Sequence, residues 1–329
     1  MGGKKKKAGG SGGKDGEEED VSVDNFVKAY RKKCAELGCD VSKIIKEKYE
    51  TYQEEGDPID KFHFWEELGW QGVRAITDSL RQVNYPHAKT MCLWKTFCED
   101  EGVRAVVQCL MQIKSVFKLD LLDNKITYLG CEFISNLIHP KANCNLEILK
   151  LDHNDFGSKG MVALSEGLAI NKTLKNLSLS YCNIDAGGAR ALFEVLIFSQ
   201  SQLEELYLNG NHLRNAGVVQ VLRGVAVNKN LKMINLADNQ FNDDSEVMDA
   251  IEFCWKKNKN LGSYNFSYNN LFDNGGLDKI IEFLGPCNHV FKVEVSERAG
   301  DQYAALQEAL ANNKPKKGKK GKKGKKKKK

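Results

Sequence analysis

No apolar stretch in this 329-residue chain approaches the length of a membrane span, and its N-terminus has no apolar core of the signal-peptide kind. Those two absences set the expectation of an intracellular, cytoplasmic protein. The ten cysteines include no Cys-x-x-Cys pair and no clustered cap. Several fall where apolar residues recur, so reduced thiols acting as small apolar side chains are expected rather than a disulfide framework. The histidines (His63, His87, His139, His153, His212, His289) are scattered, and no pair stands at metal-ligand spacing with a third ligand. There is no Gly-x-x-x-x-Gly-Lys-Ser/Thr phosphate loop, no Gly-x-Gly-x-x-Gly turn and no nucleophile elbow between a strand and a helix. With these signatures absent, the reading is a protein that is not an enzyme, with no cofactor and no metal.

What the chain does have is one pattern written repeatedly. Leu149-x-Leu151-x-x-Asn154-x-Phe156-x-x-x-Gly160 returns as Leu206-x-Leu208-x-x-Asn211-x-Leu213-x-x-x-Gly217. The glycine position recurs at Gly72, Gly102, Gly130, Gly160, Gly188, Gly217, Ser245 and Gly275, in steps of 28 to 30 residues, the period of a solenoid. Before it come apolar pairs two apart, from Leu119-x-Leu121 to Tyr264-x-Phe266, whose period of two predicts a strand with one buried face. An asparagine follows where the chain leaves the strand (Asn124, Asn154, Asn211, Asn239, Asn269), able to donate to and accept from turn backbone. One repeat has Cys182 there instead. Beyond the glycine the period becomes helical, with pairs such as Val106/Leu110, Leu164/Leu168, Val221/Val225 and Ile280/Leu284.

These residues resemble the leucine-rich repeat superfamily, specifically its ribonuclease-inhibitor-like class. The resemblance covers roughly residues 60–313 and implies an α/β solenoid, a horseshoe with parallel strands on the concave face and helices on the convex face. Its ends are degenerate. Met91-x-Leu93 keeps the spacing without the consensus side chains, and the segment from Gly72 to Leu80 is read as only the helical half of a unit. Phe291-x-Val293 with a helix through Leu306 and Leu310 reads as a closing unit, and the helix after Ser245 reads as starting late, around Val247 and Ile251. Residues 21–59 read as a helical N-terminal cap of two helices, the first closed by Gly38 and the second begun by Ser42.

Charge is segregated. Residues 314–329 hold twelve lysines, residues 1–20 balance five lysines against five acids, and 21–313 are left with 32 basic against 39 acidic side chains. Both terminal segments are read as disordered tails. The lysines of the second (Lys316, Lys317, Lys319, Lys320, Lys322, Lys323, Lys325, Lys326 among them) can neutralise phosphates or carboxylates, so the tail is expected to hold an acidic protein surface such as tubulin tails, the anionic inner membrane leaflet, or nucleic acid without sequence preference. The residues between the buried strand positions are expected to line the concave face and to bind a protein partner: Trp94, Leu122, Asp152, His153, Tyr181, Tyr207, Asp238 and Tyr268. The leading function is an interaction scaffold. Similar short arrays with lysine-rich ends occur in cilia and flagella, which suggests a structural part of an axonemal complex on the cytoskeleton. The alternatives are a GTPase regulator of the Ran GTPase-activating type, or a nucleic-acid or ribosome tether acting through the tail. Oligomeric state is left open.

Overall fold

Each repeat forms its two elements for local reasons. A leucine pair in extended backbone buries one side, and an apolar stripe at helical spacing then closes over it. In the computed structural model, which describes residues 21–296 and 300–313, this happens nine times. The strands are β1 (Lys61–Phe64), β2 (Thr90–Leu93), β3 (Lys118–Asp120), β4 (Ile148–Lys150), β5 (Asn176–Ser178), β6 (Glu205–Tyr207), β7 (Met233–Asn235), β8 (Ser263–Asn265) and β9 (Lys292–Glu294). They form one parallel sheet in chain order. The expectations for residues 1–20 and for the tail lysines of 314–329 lie outside the described residues.

The helices are α1 (Ser22–Leu37), α2 (Lys43–Glu55), α3 (Gly69–Gln82), α4 (Glu99–Leu110), α5 (Tyr128–Ile138), α6 (Gly157–Leu168), α7 (Ala186–Ile197), α8 (Arg214–Val227), α9 (Ser245–Lys257), α10 (Gly276–Leu284) and α11 (Asp301–Asn313). From α3 onward, each packs on the next in chain order. Neighbouring strands sit about 4.8 Å apart, whereas packed helices need roughly 8–10 Å. The helical layer is therefore the longer one, and the sheet curves to the inside.

The core lies between the layers. Leu119, Leu121, Leu149, Leu151, Leu177, Leu179, Leu206 and Leu208 are fully buried, as are the helix residues Val106, Leu164, Val221 and Ile280. All ten cysteines are free, and eight are buried. Burial pushes the thiols up, those of Cys98, Cys109 and Cys254 to about 12, so they behave as apolar side chains. At the N-terminal end Phe26, Tyr30, Phe62 and Tyr85 are fully buried, and the Phe26 ring packs on each of the other three. Gly38 and Gly56 close α1 and α2 in the left-handed conformation, and the Ser42 hydroxyl accepts from the Ile45 N–H at the start of α2.

Three readings of the ends are corrected. The first unit has its strand half: Phe62 and Phe64 are buried, and β1 pairs with β2. Its ladder position holds exposed Glu67 in place of asparagine, which hid it from the consensus. At the other end Val293 pairs with Tyr264, so the last buried pair is Val293-x-Val295 rather than Phe291-x-Val293. Finally, α9 begins at Ser245, two residues before the expected start.

Candidate functional site

Register decides which side chains share the inner face. The pairing Cys92–Asp120–Lys150–Ser178–Tyr207–Asn235–Asn265 forms one row across the sheet, with His63 before it and Glu294 after it. Two residues on lies the row Trp65, Trp94, Leu122, Asp152, Ser180, Asn209, Ala237, Ser267. Next to it, Lys95, Asp123, His153, Tyr181, Gly210, Asp238 and Tyr268 all take positive φ, between 52° and 69°. That shared turn from strand to loop tips a whole column of side chains toward the rim, at a conformational cost that non-glycine residues pay only where the surroundings enforce it.

The asparagine ladder enforces it. Asn154 donates from Nδ2 to Leu121 O (2.9 Å) and Leu151 O (2.8 Å), and accepts on Oδ1 from Asn124 N (2.9 Å) and Ile126 N (3.1 Å). Asn211 bridges in the same way to Leu179 O, Leu208 O, Cys182 N and Ile184 N. Each buried amide thus fixes the exit of two successive strands, and a rigid scaffold holds the face in place.

The expected site residues fall into two groups. Trp94 (39% exposed), His153, Tyr181 (44%), Asp238 and Tyr268 (80%) are open to solvent. His153 stacks on Tyr181 with ring centroids 4.6 Å apart, and the Tyr181 ring lies over Gly210, where any side chain would collide with it. Asp155, Tyr181, Asn183, His212, Asp238 and Gly210 line an open cleft of about 460 Å³ at the loop rim. Tyr207, Leu122 and Asp152 are only partly exposed, so the expectation that Leu122 and Tyr207 stand free like Trp94, Tyr181 and Tyr268 is corrected. Tyr207 donates its hydroxyl to Glu205 (3.0 Å), and burial first, then that carboxylate, pushes it up to about 12. Asp152 accepts from the Ser178 hydroxyl (2.6 Å) and the Ser180 N–H (2.7 Å), so it braces the sheet as well as facing the groove.

Sequence reasoning missed three features of this face. Trp65 is the most exposed tryptophan at 67%, and it lies beside Trp94 because Phe64 pairs with Leu93. The signal was the Phe62-x-Phe64 pair, 29 residues before Met91-x-Leu93. Asp120 is a buried carboxylate on the inner face. Burial raises its pKa, opposed by the Trp94 indole and by Lys150 and Lys118. His63 bonds through Nε2 to the Thr90 hydroxyl (2.8 Å), and burial, then Lys118, Lys48 and Lys61, hold the imidazole below its ordinary range. Among the described residues no group of three or more His, Cys, Asp or Glu side chains is placed to hold a metal ion, and no helix is long and apolar enough to cross a membrane.

Repeating strand–turn–helix units, one in-order parallel sheet and a buried amide ladder define a leucine-rich repeat protein. The family model described as Leucine Rich repeat matches residues 142–165 and 171–193. Among curated proteins, the human NACHT, LRR and PYD domains-containing protein 13 is 28% identical over 157 residues, covering 47% of this chain and 15% of that one. The mouse protein 9C of the same name is 30% identical over 186 residues (55% of this chain, 18% of its own). The pig (Sus scrofa) ribonuclease inhibitor is 28% identical over 180 residues, 54% of this chain and 38% of its own length. The chain is therefore of the ribonuclease-inhibitor-like class of leucine-rich repeat proteins, and it spans less than two-fifths of each of these relatives. Two solved structures also match: leiomodin-1 actin-binding site 2, at 15% identity over 50% of this chain and 79% of that one, and a Caenorhabditis elegans tropomodulin C-terminal domain, at 16% over 56% and 92%. Their TM-scores of 0.34 and 0.36 are too low to carry any argument.

Proposed function

We propose that this protein is a docking scaffold that works by binding rather than by catalysis. The concave face grips a protein partner, and the lysine-rich segment 314–329 adds a second, salt-sensitive hold on an acidic surface. The supporting observation is the inner face itself. Exposed Trp65 and Trp94 stand side by side, and the turns of Trp94, Tyr181 and Tyr268 are bonded by the buried amides of Asn124, Asn211 and Asn269, so aromatic anchors are presented with little ordering cost on binding. The matched pig protein is by name an inhibitor of a ribonuclease, so it too acts on another protein. Twelve lysines beside a body in which acids outnumber bases suit an acidic lattice such as the tails of tubulin, and the proposed setting is a ciliary or axonemal complex.

Two measurements test the two halves. Tyr181→Ala with Tyr268→Ala should abolish recovery of the partner from a native extract while leaving the melting temperature within about 2 °C of wild type, as expected for exposed side chains. Unchanged recovery would contradict the concave-face reading. Microtubule co-sedimentation of the full chain, against a chain ending at Asn313 and with RNA as competitor, tests the tail. Pelleting that needs the tail and survives RNA supports the cytoskeletal setting. Pelleting abolished by RNA supports a nucleic-acid tether, since lysines neutralise phosphates equally well.

A further inference from the structure

Charged side chains are spread unevenly over the concave face. Toward the C-terminal half the exposed acids are Asp155 and Asp238, and Asp152 and Glu205 lie behind them. At the N-terminal end, Trp65, Trp94 and Leu122 occupy consecutive positions of one row, about 4.8 Å apart from strand to strand. Trp94 N donates to Phe64 O (2.9 Å), which holds the first pair side by side. One pleat below them lies Asp120, 5% exposed, with Lys118 Nζ at 4.0 Å and Lys150 acting on the same carboxylate from the next strand. Two lysines thus meet one buried acid, with His63 in the same row. The lower edge of the apolar strip therefore carries Lys118 and Lys150 against the single carboxylate of Asp120, while exposed Glu67 and the Lys95–Asp123 pair (3.3 Å) stand on its rim side.

We infer that this N-terminal patch, built from Trp65, Trp94, Leu122, Lys118 and Lys150, docks a partner segment that carries carboxylates next to a large apolar side chain. The inference rests on the docking-surface reading and names the partner chemistry at one end of it. The indole faces desolvate the apolar side chain, and the lysines, already partly withdrawn from water, take the carboxylates. A charge pair strengthened by partial desolvation and set beside aromatic anchors has the composition of a binding hot spot. A basic segment meets like charge there and is rejected. Asp120 serves as a positioning residue: it draws both lysines and the Trp94 indole to one point without itself reaching the surface.

The test pans a displayed library of short random peptides on the full chain. Parallel pans use three full-length variants: Trp65→Ser with Trp94→Ser, Lys118→Glu with Lys150→Glu, and Tyr181→Ala with Tyr268→Ala. The lysine tail is present in every sample, so peptides it holds cancel out. Peptides that depend on the tryptophan pair should carry Asp or Glu beside aromatic or aliphatic residues and bind the tryptophan variant about tenfold more weakly, the equivalent of roughly 1.4 kcal/mol. The charge-reversed variant should instead select lysine- or arginine-bearing peptides. Neutral or basic tryptophan-dependent peptides, or none at all, would overturn the inference, and so would tryptophan-dependent binding of oligouridylate. Peptides lost only from the Tyr181/Tyr268 variant would overturn it while leaving the docking-surface reading standing. Should Trp94→Ser fail to fold, Trp65→Ser and the lysine pair carry the same comparison.

Discussion

The Asn154 side chain makes five hydrogen bonds to main chain, four of them buried, and most of the ladder is built from such side chains. Cys182 shows what happens when one is missing. Its thiol faces Leu151 O and Ser180 O at 3.3 Å, but it offers no amide oxygen to the strand exit before it. Phe156 N–H, whose counterparts Ile126 and Ile184 bond to ladder amides, turns instead to Asn154 O at 2.8 Å. Cys182→Asn should return that acceptor and raise stability by about 1 kcal/mol, the usual net value of one buried hydrogen bond. Chemical denaturation at neutral pH checks it, and a lower midpoint would mean that the site is too tight for an amide. The ladder was legible in the sequence because asparagine is the one recurrent polar residue in an apolar register. That it fixes a column of left-handed residues at the rim was not legible, because φ follows from the stacking of neighbours rather than from residue type.

At the scale of elements, successive repeats are tied at their helix N-termini as well as through the sheet. Asp100 accepts from Thr127 N and Gly130 N (both 2.9 Å) at the start of α5. Asp243, 1% exposed, does the same for α10, accepting from Asn274 N (2.6 Å), Gly276 N (3.0 Å) and the Asn274 amide (2.9 Å). Turning Asp243 inward accompanies the start of α9 at Ser245, the glycine-equivalent position itself, where α6 and α8 start three residues before theirs, and it places the carboxylate as a cap on the next helix. Burial works to raise the Asp243 pKa, but those three donors outweigh it and hold the carboxyl below its ordinary value. A folded value below the unfolded one means that the contribution is fully present above the unfolded pKa of about 4 and is lost as pH falls through the folded value. Asp243→Ala should therefore cost roughly 2–4 kcal/mol at neutral pH, from the loss of charge-assisted bonds to buried donors. The gap from wild type should narrow in unfolding curves taken below about pH 4. A gap that stays constant with pH would show the loss to be one of packing alone. Helix positions were readable from i,i+4 apolar pairs, and strands from period-two leucines. The first strand was not, since Phe62 and Phe64 end in exposed Glu67 rather than in an amide, and a terminal unit has no earlier neighbour to supply.

At the scale of the whole molecule, a sheet shorter than its helical layer produces a hollow. Trp65 and Trp94 stand at its N-terminal end above Lys118 and Lys150, and Tyr181 and Tyr268 stand further along it. Exposed apolar residues also occur among the helices, for example Phe253 on α9 and Val227 on α8, so exposure alone does not distinguish the two faces. Anchoring does: Trp94, Tyr181 and Tyr268 sit on turns bonded by the buried amides of Asn124, Asn211 and Asn269, while the outer residues crown single helices. The measurement that tests this most directly is hydroxyl-radical footprinting of the full chain, alone and with the partner recovered by it. The account predicts that Trp65, Trp94, Tyr181 and Tyr268 lose reactivity on binding while Phe253 and Val227 keep theirs. Protection of Phe253 and Val227 with the four inner aromatics unchanged would place the partner on the helices and contradict it.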